Sequence, residues 1–403
     1  MGIIYFCIHF IEYTFFIYFG FSAFYILVFA FGGRFFSAKK TDKSKNIKSR
    51  KFAVLIPGYK EDNVIYDVAV QSLKQDYPST LFDIIIIADT FKKETIDLLN
   101  TLDIRVVEVS FEKSTKSKAL NKAMEIIGDN YDVALVLDAD NIMATDFISR
   151  INSAFDEGFI VVQGHRVAKN MNTSFAVLDA ISEEVNNNIF RKGHRAFGFS
   201  SALIGSGMAF DYPFFKNMMA QIDAVGGFDK ELELKLLRDG YKIEFLDHAL
   251  VMDEKVQKAE VFANQRKRWL SAQFVYFSRF ILAGLYHLIF KANIDFFDKV
   301  YQMITPPRIL LIGFTGLLAF FHSTISLFFP ENKVLALSPI YWNGIFIAVV
   351  LAFLLSIPSK FYNKQTLKAL ITLPKAFFLM FLSLFKLKGA NNKFIHTEHG
   401  TSK

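Results

Sequence analysis

One arrangement constrains this chain more than any motif: two apolar regions enclose a charge-rich middle. The first apolar block runs from Ile3 to about Phe31, broken only by His9, Glu12 and small polar residues. At roughly 1.5 Å per residue in a helix, it is long enough to cross a bilayer with tilt. No basic residue precedes it and no small-residue cleavage site follows, so it reads as an anchor rather than a signal peptide. Apolar character returns from Phe274. Ile309–Phe329 and Tyr341–Ile357 read as spans, whereas Phe274–Phe290 and Leu367–Leu387 read as helices lying at the interface.

Composition supports this division. Hydrophobic residues make up 52% of the chain and charged residues 21%. That is too apolar for disorder and too charged for a bundle built only of spans. The single Cys7 excludes an internal disulfide and any cysteine-built zinc or iron–sulfur centre. Arg34, Lys39, Lys40, Lys43, Lys45, Lys48, Arg50 and Lys51 follow the anchor, opposed only by Asp42. This run is a solvated linker that can also touch anionic headgroups, and it places the following domain in the cytoplasm. Two C-terminal spans return the basic tail, with Lys386, Lys388 and Lys393, to the same side. The expectation is a multi-pass protein of the inner (cytoplasmic) membrane. The net charge of +7 gathers beside membrane segments without an aromatic–basic groove, so no nucleic-acid partner is expected.

The expected segments are a transmembrane anchor (1–33), a basic cytoplasmic linker (34–51) and an α/β domain (52–255). Beyond these come a segment with an interfacial helix (256–295), transmembrane helices (296–365), and a second interfacial helix with the basic tail (366–403). Within 52–255, apolar runs at Phe52–Ile56, Phe82–Ala88, Ile104–Val109, Val133–Leu137 and Ile160–Val162 read as buried parallel strands. Helical patterns at about Val64–Gln75, Lys92–Leu99, Lys116–Ile127 and Ala144–Asp156 alternate with them. Such a sheet carries its sites at the strand carboxyl ends.

Asp138-Ala139-Asp140-Asn141 closes one of these strands. Two carboxylates so placed suit Mg²⁺ or Mn²⁺, which in turn hold a diphosphate; the alternative is a turn in which Asp140 or Asn141 caps a helix. Asp89 ends another strand, and Pro57 and Glu61 follow the first, all on the same edge. Lys118, heading a helix, could neutralise phosphate there, or could simply be solvated. His165, His194 and His248 show no metal spacing and read as ordinary polar or core positions.

Several elements recur in a fixed order: Pro57-Gly58-Tyr59-Lys60-Glu61, Asp89, Ser117-Lys118-Ala119-Leu120-Asn121, Asp138-Ala139-Asp140, Gly205-Ser206-Gly207, Gly227-Phe228-Asp229-Lys230-Glu231-Leu232 and Gln265-Arg266-Lys267-Arg268-Trp269. This order resembles the membrane-bound family 2 glycosyltransferases, the group with cellulose, chitin and hyaluronan synthases and ceramide glucosyltransferase. Their patterns are P-x-Y-N-E, a strand-terminal Asp, G-K-x-x-A-L-N, D-x-D, a Gly/Ser turn, T-E-D and Q-x-x-R-W. The tail Phe394-Ile395-His396-Thr397-Glu398-His399 is also similar to the ends of some bacterial members.

The resemblance implies a GT-A-like mixed, mostly parallel nucleotide-sugar-binding sheet, with N- and C-terminal transmembrane helices. It implies inverting transfer of a hexose or N-acetylhexosamine from a UDP-sugar, with Asp229 as the general base. Pro57, Tyr59, Glu61, Asp89, Lys118 and Asp138 would bind the donor, and Asp138 and Asp140 the Mg²⁺ or Mn²⁺. Gly205, Ser206, Gly207, Gln265, Arg268 and Trp269 would meet the acceptor or the diphosphate. The acceptor would be a growing polysaccharide, or alternatively a lipid taking one sugar, with membrane lipids and an export protein as further partners. By position alone Asp229 reads as the N-cap of a Lys230–Arg238 helix ended by Gly240, and Arg268-Trp269 as an interfacial anchor.

Three positions depart from the family pattern. Lys60 stands for Asn, Thr90-Phe91 for a Gly/Ser pair, and Phe228 for the acid before the base. The last keeps open a non-catalytic protein that binds a nucleotide or glycan.

Overall fold

The computed structural model describes residues 2–36, 48–222, 226–257, 259–331 and 334–385. Lys39–Lys45 of the basic run and the tail from Lys386 onward lie outside these residues.

Strand-forming runs of β-branched and aromatic residues build one eight-stranded sheet. The strands are β1 (Phe52–Tyr59), β2 (Phe82–Asp89), β3 (Arg105–Val109), β4 (Val133–Val136), β5 (Ile142–Met143), β6 (Val161–Ala168), β7 (Met208–Asp211) and β8 (Glu244–Asp253). Their order across the sheet is β3-β2-β1-β4-β7-β6-β8-β5. β1 to β4 are mutually parallel, β6 is parallel to β8, and β7 runs against both of its neighbours. The sheet is therefore mixed and mostly parallel, as the sequence led us to expect. β5, β7 and β8 had no clear apolar run: β5 and β7 are short, and β8 carries Asp247 and His248.

Alternation along β1 sends Ala53 and Leu55 to one face, and Phe52, Val54 and Ile56 to the other. The first face packs on the helices Lys116–Ile127, Tyr212–Met219 and Phe228–Arg238; the second packs on Ile65–Ser72 and Phe147–Asp156. Both faces are thus dry, which is why these strands read as continuous apolar runs.

Among the described residues, four helices are long and apolar enough to cross a membrane: Ile3–Phe35, Glu260–Lys291, Arg308–Phe328 and Pro339–Ser356. The expected Phe274–Phe290 segment is part of one continuous helix, Ala259–Lys291, that also carries Gln265, Arg268 and Trp269. The described part of the expected Leu367–Leu387 segment is two helices, Lys364–Leu370 and Leu373–Leu384, bent by 43°. Pro374, at the start of the second helix, cannot continue the hydrogen-bond ladder of the first.

The helix Ser174–Asn186 passes through a π-helical turn, Asn187–Gly193, that docks on the N-terminal helix. Backbones meet there so closely that a Cβ on Gly193 would collide with the Phe29 carbonyl, and one on Gly33 with the carbonyl of Asn188. Tyr25 Oη donates to Asp298 Oδ1 at 2.6 Å and also lies 2.9 Å from His194 Nε2.

His165 on β6 ties the sheet to the Ser174–Asn186 helix. Its Nε2 lies 3.1 Å from Glu184 and its Nδ1 3.2 Å from Asp247. Burial opposes its charge, but hydrogen bonds to Asp247 and Glu184 outweigh it and push the imidazole up to about 9. A group whose folded pKa is raised contributes fully below its unfolded value of about 6.5 and loses that contribution as pH rises through about 9. Thermal unfolding in detergent should therefore show stability falling across pH 6.5–9, by up to about 3 kcal/mol. His165→Gln should flatten that slope, and an unchanged slope would remove His165 as its source.

Candidate active site

Strand polarity assembles the site. β1, β2 and β4 end at one edge, with Tyr59 directly opposite Asp89. Because β7 runs the other way, the Gly205–Gly207 turn that precedes it arrives at the same edge. β8 also ends there, at Asp253. A cavity of about 970 Å³ opens over this edge and extends to the ends of the long apolar helices.

Pro57, Tyr59, Glu61, Asp89, Asp138, Asp140, Gly205, Asp229, Gln265, Arg268 and Trp269 all line this cavity. Asp89 is buried and accepts from Thr90 Oγ1 at 3.0 Å, while its carbonyl accepts from Lys60 N at 3.1 Å. Lys60 and Thr90 have φ of 56° and 61°. These are two of the positions that depart from the family pattern, and the left-handed region explains why Asn or Gly is easier there.

Lys118 lies elsewhere. It is exposed and donates to the Lys113 carbonyl at 3.3 Å. Two residues earlier, about half a turn, Lys116 enters the cavity, donating to Asp138 Oδ1 at 2.5 Å and to the Gly205 carbonyl at 2.7 Å. The reason is helical phase. Thr115 caps the Lys116–Ile127 helix, so Lys116 begins the helix at the sheet edge, while Lys118 faces solvent. The G-K-x-x-A-L-N spacing, with two residues between Lys and Ala, would have selected Lys116.

Ser206 and Gly207 sit behind the cavity rather than lining it. Ser206 Oγ accepts from Asp138 N at 2.9 Å and bonds Asn141 Oδ1, which pins the Asp138–Asn141 turn. The Gly207 carbonyl accepts from Gly164 N at 2.7 Å. Neither Asp140 nor Asn141 caps a helix. Asp140 accepts from Asn141 Nδ2 at 3.1 Å and from Glu254 N at 3.0 Å.

Beneath the two carboxylates lies an ion cluster from elements that the motifs do not mark. Arg166 Nη1 is 3.9 Å from Asp138 and 3.7 Å from Asp253, and Arg166 Nη2 is 2.8 Å from Glu183. Lys255 Nζ is 2.7 Å from Asp253. Burial opposes each charge, yet Arg166 and Lys255 hold Glu183 and Asp253 below the usual carboxylate range, and the acids in turn hold both cations up. All four groups therefore stay ionised.

Asp229 lies in the first turn of Phe228–Arg238, not at its cap. Gly227 is the N-cap, left-handed at φ 68°, with no side-chain cap bond. A Cβ built on Gly205 would lie 3.6 Å from Asp229 Oδ2, so the two face each other. Phe228 is buried, with the Lys116 ammonium 5.6 Å above its ring. Burial pushes the neighbouring Lys230 ammonium down, against the pull of Asp229.

Gln265, Arg268 and Trp269, spaced i, i+3 and i+4, share one helix face toward the cavity. Trp269 is 38% exposed, and the Arg266 guanidinium stacks on it at 4.4 Å while pairing with Asp179.

The site is thus a strand-edge cavity with paired carboxylates, a facing third carboxylate and a cationic rim. The chain belongs to the glycosyltransferase like family 2, whose model matches residues 49–272. It is 26% identical over 231 residues to a probable glycosyltransferase, YdaM, of Bacillus subtilis, covering 54% of each chain. It is 25% identical over 231 residues to a beta-monoglucosyldiacylglycerol synthase of Trichormus variabilis, covering 54% of this chain and 47% of that one. The chain thus spans about half the length of the relatives it matches. A mannosyltransferase of Pyrobaculum calidifontis, solved in complex with GDP-Man and Mn²⁺, overlaps 84% of this chain and 94% of its own at 14% identity and a TM-score of 0.48.

Gly205 carries φ +82°, and its carbonyl fixes Lys116. Gly205→Ala should cost about 1 kcal/mol from backbone strain. It should also lower sugar-transfer kcat by more than about tenfold, through displaced Lys116 and Asp229. Thermal unfolding and transfer rates measure the two effects, and an unchanged rate would contradict this role for Gly205.

Proposed function

We propose that this protein transfers a hexose or N-acetylhexosamine, with inversion, from a UDP-sugar to a hydroxyl acceptor at the membrane surface. The carrying observation is Gly205. Its carbonyl holds Lys116, which sits on Asp138, and its α-carbon faces Asp229, so donor and base carboxylates share one cavity.

Asp229 accepts the proton of the acceptor hydroxyl. The hydroxyl oxygen bonds to the anomeric carbon as the bond from that carbon to the diphosphate oxygen breaks, and UDP departs with the electron pair. Tyr59, Glu61 and Asp89 hold the nucleoside end, with Pro57 shaping the turn. Lys116, Gln265 and Arg268 receive the diphosphate charge. Trp269 offers its exposed face to a sugar ring.

Asp138 and Asp140 suit Mg²⁺ or Mn²⁺. They are hard oxygen ligands at the cavity wall. The ion would supply charge neutralisation at the departing diphosphate.

A lipid acceptor fits the cavity floor, where Pro307, Ile309 and Met380 from the membrane helices line it. The glucosyldiacylglycerol synthase relatives favour the same reading. A growing polysaccharide is the second reading, favoured by the exposed Trp269 face. The basic run after the anchor supports a multi-pass protein of the inner membrane with its catalytic domain in the cytoplasm.

Incubating the purified chain with a panel of radiolabelled UDP-sugars, Mn²⁺ and membrane lipids should release UDP and carry label into the organic phase. No UDP release with any donor would sink the transferase reading, and label in a long water-soluble product would favour the polymer. Asp229→Asn should lower kcat by about 10²–10⁴-fold while leaving UDP affinity within about twofold. In calorimetry, Lys116→Ala should weaken UDP binding by about tenfold, a loss of about 1.4 kcal/mol. Lys118→Ala should leave it unchanged; the reverse pattern would restore Lys118 to the donor site.

A further inference from the structure

The membrane-facing end of the cavity holds a cation that the transfer chemistry does not use. Arg308 opens the helix Arg308–Phe328 and lines the cavity. It donates from Nη1 to Asn186 Oδ1 and from Nη2 to Ser182 Oγ at 2.9 Å, both neutral partners. Its Nε is buried without a partner, and no carboxylate among the described residues comes within 4.0 Å of it.

Several other cations of this cavity have carboxylate partners. Arg166 has Glu183, Lys255 has Asp253, Lys299 has Glu233 at 2.7 Å, and Arg266 has Asp179. A guanidinium withdrawn from water without a counter-charge is unfavourable, and a bound anion removes that penalty. The planar fork with a spare N–H matches a phosphate group. Ser182 and Asn186 meet the guanidinium on one side, while the apolar Pro306, Pro307 and Ile309 adjoin Arg308 along the chain and, with Met380, also line the cavity. They belong to, or adjoin, helices apolar enough to meet lipid tails. Charge and greasy wall together specify one ligand chemistry, an anionic head on a hydrocarbon tail.

We propose that Arg308 binds the phosphate ester of an anionic lipid, so that the acceptor is a phosphate-bearing lipid with a free hydroxyl rather than a neutral diacylglycerol. This rests on the lipid-acceptor reading and narrows its substrate class. Seated at Arg308, the phosphate keeps the head at the cavity floor, and the hydroxyl-bearing end extends toward Asp229.

The test uses the full chain in neutral detergent micelles, with radiolabelled phosphatidylglycerol as the probe in a scintillation-proximity assay. Arg308→Gln should weaken phosphatidylglycerol binding by at least about tenfold, with UDP affinity unchanged. Arg308→Lys should restore much of the loss. Asn186→Asp, which sets a carboxylate against the guanidinium, should weaken binding as Arg308→Gln does and covers the case in which Arg308→Gln fails to fold. Diacylglycerol should bind equally to all forms, and glycerol phosphate should not compete.

Unchanged phosphatidylglycerol binding in Arg308→Gln and Asn186→Asp would overturn the proposal. So would equal competition by glycerol phosphate, which would leave a phosphate site with no lipid component. UDP affinity falling in parallel would overturn it too, by assigning Arg308 to the donor diphosphate. The transferase reading fails separately, through absent UDP release, with Arg308-dependent lipid binding intact.

Discussion

Everything at the sheet edge depends on the buried cluster of Arg166, Glu183, Asp253 and Lys255. Its members come from β6, from the Ser174–Asn186 helix, from the end of β8 and from the chain just beyond. Two cations and two carboxylates balance, so the cluster is neutral as a whole, yet losing one member would strand a buried charge at a penalty of about 3–5 kcal/mol. Arg166 also reaches Asp138, and Asp253 accepts from Asn141 at 3.1 Å. The turn that presents Asp138 and Asp140 is thus held by charges deeper in the fold as well as by Ser206.

The same cluster joins the sheet to the long apolar helices. Glu183 belongs to the helix that continues into the π-helical turn against the N-terminal helix. Asp179, one turn earlier, pairs with Arg266 on the helix that carries Gln265, Arg268 and Trp269. A π-turn inserts an extra residue per turn and so shifts the helix face. Here that shift lets Arg191 point back to Glu183 while Gly193 meets Phe29. The cavity floor is consequently part of the packing of the long apolar helices, which is why it is lined by Pro307, Ile309 and Met380.

Much of this was legible in the sequence because strand ends and motif order are local. Asp89, Asp138 and Asp140 reach one edge as soon as β1, β2 and β4 are read as parallel. Lys116 was missed for a local reason: the spacing to Ala119 was counted from the wrong lysine. The cap assigned to Asp229 failed because Gly227, already left-handed, starts the helix two residues earlier. Arg166, Glu183 and Lys255 had no signature at all. Their roles come from long-range pairing between polar residues, each of which reads as solvated when met alone.

Phe228 raised the possibility of a dismantled site, since the family pattern places an acid beside the base. Its ring is turned into the core between Lys116 and the helix it begins, while Asp229 keeps its place on the cavity wall. With an acid at position 228, the Lys116 ammonium would be divided between that acid and Asp138. With Phe there, the ring face is only a weak partner, and the ammonium rests on Asp138 and the Gly205 carbonyl. The substitution therefore concentrates one positive charge at the carboxylate pair where a diphosphate would lie, and takes nothing from Asp229. An apolar residue next to the proposed base Asp229 leaves the Lys116 charge on Asp138 and the Gly205 carbonyl.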